Sequence, residues 1–218
     1  LEKAAEIRTS FMFLAPLLAR LGSAVIPNPG GCRIGARPID RIVDGLKSMG
    51  VSIDYDSKDG YFHASGKKLK GSHYKFAKNT HTGTETMILI AVLANGKTVL
   101  ENAAEEPEVD DLIKLLNQMG AKIVRSKRRT IEIQGVKKLS GTKFRISYDR
   151  NEVVTLAAAA VLTEGDIFIK DIKRNGLTEF ISKLEEAGGG VEEKDNGIRF
   201  YYKGILKPTH VTTGFFPG

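Results

Sequence analysis

Cys32 is the only cysteine in a chain of 218 residues, and its neighbours are of few types. Gly30, Gly31 and Gly35 surround it, Arg33 and Arg37 follow within five residues, and Asp40 closes the run. Glycine lets backbone N–H groups approach a ligand because no Cβ intervenes. Arginine carries a fork of donors that suits carboxylate or phosphate. Fixed positive charge near a thiol shifts it towards thiolate and makes it more reactive. These residue types describe an anion-binding loop with a reactive group in it. A surface Gly/Pro loop with an incidental cysteine has the same composition, and both readings stand at this point.

A second polar stretch, Asn79-Thr80-His81-Thr82-Gly83-Thr84, precedes an apolar run. Backbone N–H groups ahead of a helix make a cradle for an anion or amide. His81 reads either as a capping or solvent-facing side chain or as a base. The other histidines, His63, His73 and His210, are scattered without metal-ligand spacing, so no metal is expected. There is no P-loop, no dinucleotide fingerprint and no Ser/His/Asp order, so no cofactor is expected either. The acidic run Glu101, Glu105, Glu106, Glu108, Asp110 and Asp111 brackets Pro107. Carboxylates are favoured at a helix N-terminus, which accounts for much of it.

Charge and composition narrow the partners. The net charge is +7, a sign that suggests nucleic acid. The basic groups, Arg125 with Lys127, Arg128 and Arg129, and Lys67 with Lys68 and Lys70, stand beside turn residues and lack interleaved aromatics. Solvated hairpins account for both, and a small anionic ligand explains the charge as well as a polymer does. A nucleic-acid-binding domain is therefore ranked last. No apolar run is long enough to span a membrane. One cysteine excludes an intrachain disulfide and points to a reducing, cytoplasmic setting.

The elements that must position these residues follow from periodicity. Residues 5–21 read as a helix that Pro16 kinks or splits, with Gly22 as its stop. A strand over 24–26 leads into the cysteine loop. A helix over 38–49 puts Arg37 just ahead of its N-terminus, with Asp40 as a cap. Strands are expected over 51–55, 61–64, 72–76 and 98–100, and a helix over 85–94. The order then repeats. Gly50, Gly120 and Gly188 each end a helix ahead of a strand, at spacings of 70 and 68 residues. Residues 91–98 recur at 160–167, and 68–71 at 138–141. The class is α+β, built from units of roughly 70 residues packed about a shared axis. About three units are present. The chain opens within one and closes within another, so the natural protein is expected to continue in both directions. Cys32 and Arg37 depart from the period, since the equivalent loops at 102–108 and 171–176 lack cysteine.

The run Gly30-Gly31-Cys32-Arg33-Ile34-Gly35-Ala36-Arg37-Pro38-Ile39-Asp40 resembles the catalytic loop of the UDP-N-acetylglucosamine 1-carboxyvinyltransferase family of EPSP synthase-like enolpyruvyl transferases. Ile7-Arg8-Thr9-Ser10, residues 14–22, residues 101–108 and Asp149-Arg150 agree with it in order. The resemblance implies six βαβαββ units in an inside-out α/β prism of two domains. Residues 1–147 would form most of one domain and 148–218 part of the other. It implies transfer of enolpyruvyl from phosphoenolpyruvate to the 3′-hydroxyl of UDP-N-acetylglucosamine, with release of phosphate. Cys32 would be the proton donor and the site of a covalent adduct, and Arg37 would bind phosphate. Arg8, then Arg37, Pro38, Ile39, Asp40 and Arg41, then Asn79, Thr80, His81 and Thr82 would contact the nucleotide sugar. The family's second segment is commonly Lys-Val-Ser-Val-Gly, which here becomes Asn79-Thr80-His81-Thr82-Gly83. The family's Lys-Asn pair would precede Leu1 and its catalytic aspartate would follow Pro217, so the 218 residues alone are expected to be inactive. A non-catalytic module binding a nucleotide sugar or phospholigand is the alternative.

Overall fold

A computed structural model describes residues 2–31 and 38–216. The chain divides into two compact units, Leu1–Phe144 and Arg145–Gly218. The first begins with a short helix α1 (Glu2–Glu6), a 3-10 turn (Arg8–Phe13), helix α2 (Leu14–Leu21) and strand β1 (Ser23–Pro27). The helix expected over 5–21 is therefore broken, but not by Pro16. Ile7 is extended at φ −112° and ψ 125°, and the next six residues wind as 3-10. Pro16 lies in the first turn of α2, where a missing N–H leaves no bond unmade.

Helix α3 (Asp40–Ser48), strands β2 (Ser52–Asp56), β3 (Tyr61–Ser65) and β4 (His73–Lys75), and helix α4 (His81–Ala91) follow. Strand β5 (Lys97–Glu101), helix α5 (Pro107–Gln118) and strands β6 (Lys122–Lys127) and β7 (Thr130–Gln134) complete the unit. The second unit holds α6 (Arg150–Leu162), β8 (Asp166–Lys170), α7 (Thr178–Glu186), β9 (Gly189–Lys194) and β10 (Gly197–Tyr202).

The repeat is visible in the sheets. Their orders are β1-β3-β2, β5-β7-β6 and β8-β10-β9, and every one of these pairings is antiparallel. Among the described strands β4 alone adds to this pattern, pairing parallel to β5. Residues 73–134 thus form a complete βαβαββ unit. The stretches before and after it show αβαββ among the described residues, and no strand forms ahead of α6 at the phase of β4. Gly50, Gly120 and Gly188 have φ of 89°, 99° and 98°, the left-handed helix stop that only glycine takes without strain.

Helix α4 is the pivot of the first unit. Gly83, Thr84, Thr86, Met87, Ile88, Ile90 and Ala91 are all buried, so the helix is enclosed on several sides. It packs against α2, α3 and α5. A helix buried all round has no polar face to report its period. Gly45 on α3 allows the close approach, since a Cβ there would fall 2.6 Å from the Met87 sulfur. The second unit has a smaller core, centred on Val153, Ala157, Ile172, Leu177, Ile181, Ile198 and Phe200.

Candidate active site

Cys32 and Arg37 lie outside the described residues, but the approach to them is described. A Cβ on Gly30 would sit 1.9 Å from the carbonyl oxygen of Ala5, and one on Gly31 would sit 3.1 Å from the Cβ of Arg8. Gly31 also has φ of 93°. Both glycines therefore let the strand leaving β1 lie against residues 5–8. Arg8 opens the 3-10 turn and is half-buried. The fold thus places Arg8 beside the residue that immediately precedes Cys32.

On the far side of the loop, Pro38 and Ile39 lead into α3. The N-cap position belongs to Ile39, which makes no side-chain cap bond. Asp40 lies in the first turn, as expected, as the first helical residue rather than at the cap position; its carboxylate suits the helix dipole from there. The backbone carbonyl of Arg41 accepts a hydrogen bond from the Tyr74 hydroxyl at 2.9 Å. Tyr74 is on β4, so this bond ties the first turn of α3 to the strand that leads into residues 79–82. Burial pushes the Tyr74 phenol up, and the nearby carboxylates of Asp44 and Asp40 add to that.

The second polar stretch is not a loop ahead of a helix that starts at Glu85. Thr80 is extended and N-caps α4, its Oγ1 accepting from the Gly83 amide at 3.3 Å. His81, Thr82, Gly83 and Thr84 form the first turn. Thr84 is completely buried; its hydroxyl donates to the Thr80 carbonyl and accepts from the Ala104 amide at 2.9 Å. The Asn79 side chain donates to the Asn102 carbonyl at 3.1 Å. The start of α4 is in this way fastened at both ends to the loop between β5 and α5.

His81 has acquired acidic company. Its Nε2 is 3.3 Å from Glu85 Oε1, a charge contact rather than a well-directed hydrogen bond, and this nitrogen is otherwise without a partner. Glu85 raises the imidazole pKa, partial burial opposes the rise, and Glu106 and Glu108 at the entrance to α5 support it. A raised folded value makes the stabilisation complete below the ordinary value of 6.5, and it is lost as pH rises through the folded value. His81→Gln should therefore flatten the alkaline side of the stability profile, read from urea midpoints between about pH 5 and pH 9. An unchanged slope in the variant would dismiss this role.

Three participants escaped the sequence. Glu85 is one helical turn from His81 and could have been found from that spacing. Glu106 and Asn102 reach the site only through the packing of α4 against the β5–α5 loop, and no local pattern announces that. The basic hairpin also resolves. Arg128 and Arg129 grip Glu105 at 2.9 and 2.6 Å, and Arg125 grips Asp110 at 2.7 Å. Burial would raise the Glu105 carboxyl, but the hydrogen bonds from Arg129 and Arg128 outweigh it and hold its pKa below the usual range. Asp56, Asp59 and His63 come within metal-binding spacing on the exposed β2–β3 hairpin. His63 is already 2.7 Å from Asp59 there, and the oxygens of Asp59 and Asp56 accept from turn amides.

Residues 2–213 match the profile of the family described as EPSP synthase (3-phosphoshikimate 1-carboxyvinyltransferase). The chain belongs to the EPSP synthase family. Within it, the UDP-N-acetylglucosamine 1-carboxyvinyltransferase of Bartonella henselae is 44% identical over 216 residues, covering 97% of this chain and 50% of its own length. The protein of the same name from Acidobacterium capsulatum is 47% identical over 214 residues, covering 97% of this chain and 48% of its own. The chain spans about half the length of the curated relatives it matches. Among solved structures, the enolpyruvyl transferase NikO from Streptomyces tendae superposes with a TM-score of 0.74 at 22% identity, over 88% of this chain and 47% of its own. EPSP synthase from Acinetobacter baumannii gives 0.67 at 21%, over 94% and 48%. At those identities the structures establish the EPSP synthase-like fold. Three repeats in half the relatives' length agree with the six expected.

Proposed function

We propose that this chain is part of an enzyme that transfers the enolpyruvyl group of phosphoenolpyruvate to the 3′-hydroxyl of UDP-N-acetylglucosamine, the first committed step of peptidoglycan synthesis, in the cytoplasm, and that the 218 residues alone are inactive. What carries the reading is that relatives bearing that activity in their names are 44–47% identical across 97% of the chain. The cysteine loop supports it. Among the described residues no helix is long and apolar enough to cross a membrane.

In this reading Cys32 gives its thiol proton to the methylene carbon of phosphoenolpyruvate. The sugar oxygen bonds to the adjacent carbon and its own proton departs. The bond from that carbon to the phosphate oxygen then breaks, a methyl proton leaves, and the double bond is restored. Arg37 binds the phosphate through charge-assisted bonds that strengthen as charge develops. Arg8 and residues 38–41 and 79–82 hold the nucleotide sugar. The glycine contacts at Gly30 and Gly31 favour this division of labour, because they set Arg8 against the start of the loop.

An epoxide that mimics phosphoenolpyruvate tests the assignment. Alkylation is expected at Cys32, and it should accelerate when UDP-N-acetylglucosamine is added. Nucleotide-sugar binding without any alkylation would favour a non-catalytic module instead.

A further inference from the structure

We infer that Asn102 is a positioning residue: its side chain holds the Phe76 carbonyl and its own carbonyl holds Asn79, and together they fix the 79–82 segment in the geometry that receives the nucleotide sugar. The inference rests on the functional reading above for the identity of that ligand. It goes beyond it in naming a residue outside those assigned to the substrates, which acts through Phe76 and Asn79.

Strand β4 pairs with β5 through Lys75 and Glu101, and the Phe76 amide donates to the Glu101 carbonyl at 3.0 Å. There the backbone ladder ends, because Asn102 turns left-handed at φ 54°. Its side chain then continues the ladder by one rung, donating from Nδ2 to the Phe76 carbonyl at 2.9 Å. The bond is returned three residues later, when Asn79 Nδ2 donates to the Asn102 carbonyl at 3.1 Å. The loop carrying Asn102 is itself anchored, since the Ala103 amide donates to the Arg129 carbonyl at 3.0 Å and the Ala104 amide to the Thr84 hydroxyl. Asparagine suits the position twice over. It tolerates the left-handed backbone better than most residues, and its amide mimics a peptide group.

The repeat supplies an independent comparison. Asp171 follows β8 as Asn102 follows β5, and it too is left-handed, at φ 59°. Its carboxylate reaches Arg145 at 2.8 Å, a residue at the phase of β4. The scaffold thus places a short polar side chain at this turn more than once. In the middle repeat, among the described residues, it grips the backbone that leads to candidate ligand contacts.

The test uses the whole protein with Asn102→Asp and Asn102→Gly. Both residues accept the left-handed turn, and both lose the donor. Each should raise the KM for UDP-N-acetylglucosamine about tenfold, the cost of roughly one hydrogen bond, and leave kcat within about twofold. Amide exchange at Thr80 to Thr84 should quicken in both. A lower melting temperature with KM and exchange unchanged would make Asn102 merely structural and overturn the inference, as would a fall in kcat alone. If the unmodified full-length protein, rather than these 218 residues alone, does not turn over the two substrates, the functional reading fails. The exchange rates then decide by themselves whether Asn102 holds the segment.

Discussion

Cys32→Ala should depress enolpyruvyl transfer by about 10²–10⁴-fold, the usual worth of a positioned proton donor, and should abolish epoxide labelling. The reaction adds a proton to carbon, a slow step without a held acid. Removing the thiol also removes the site of the adduct, so both readouts fall together. Cys32→Asp separates them. A carboxyl group of similar reach can still deliver a proton, so this variant should keep measurable transfer but take up no label. Loss of transfer in both variants would point to a nucleophilic rather than an acidic duty for the thiol. Full transfer in the alanine variant would remove Cys32 from the mechanism. The measurement is phosphate release by the full-length protein in the presence of both substrates.

Phe200→Ala should cost about 3–5 kcal/mol, as for other buried aromatic truncations. Phe200 is completely buried on the central strand of the β8-β10-β9 sheet. It packs in a cluster of mostly aliphatic side chains, with the ring of Phe180 at 6.5 Å between centroids. No neighbour of that size can close the gap, so most of the lost volume stays empty. The second unit has few other large side chains to spare. Amide exchange at β8, β9 and β10 should therefore quicken by orders of magnitude. Retention of full protection there would show that the cluster repacks.

How legible this was in the sequence depended on how local the cause was. The left-handed glycines at 50, 120 and 188 announced the repeat because a helix stop needs nothing beyond its own turn. The hairpins around Gly60 and Arg129 were readable for the same reason. The apolar spacing from Ile7 to Leu21 hid a break, because 3-10 winding also brings every third residue round to one side. The start of α4 was read four residues late. Its first turn is Thr- and Gly-rich, and its buried surface runs all round, so neither propensity nor amphipathic period marked it. In the candidate site, Arg8 and residues 38–41 came from family resemblance, and residues 79–82 from their polar run ahead of a helix as well. Their fastening came from contacts across 23 to 33 residues, as in Asn79 to Asn102 and Tyr74 to Arg41, where sequence holds no local trace.

The shared strand order of the three sheets carries a consequence for cutting and rejoining the chain. Among the described residues every ladder is closed within β1 to β3, within β4 to β7, or within β8 to β10, and no named strand pairs across from one group to the next. Gly141 is exposed and has open space around it. A nick after Gly141 severs the polypeptide yet leaves every strand pairing intact. That stretch is the natural seam for making the protein from two separately expressed pieces.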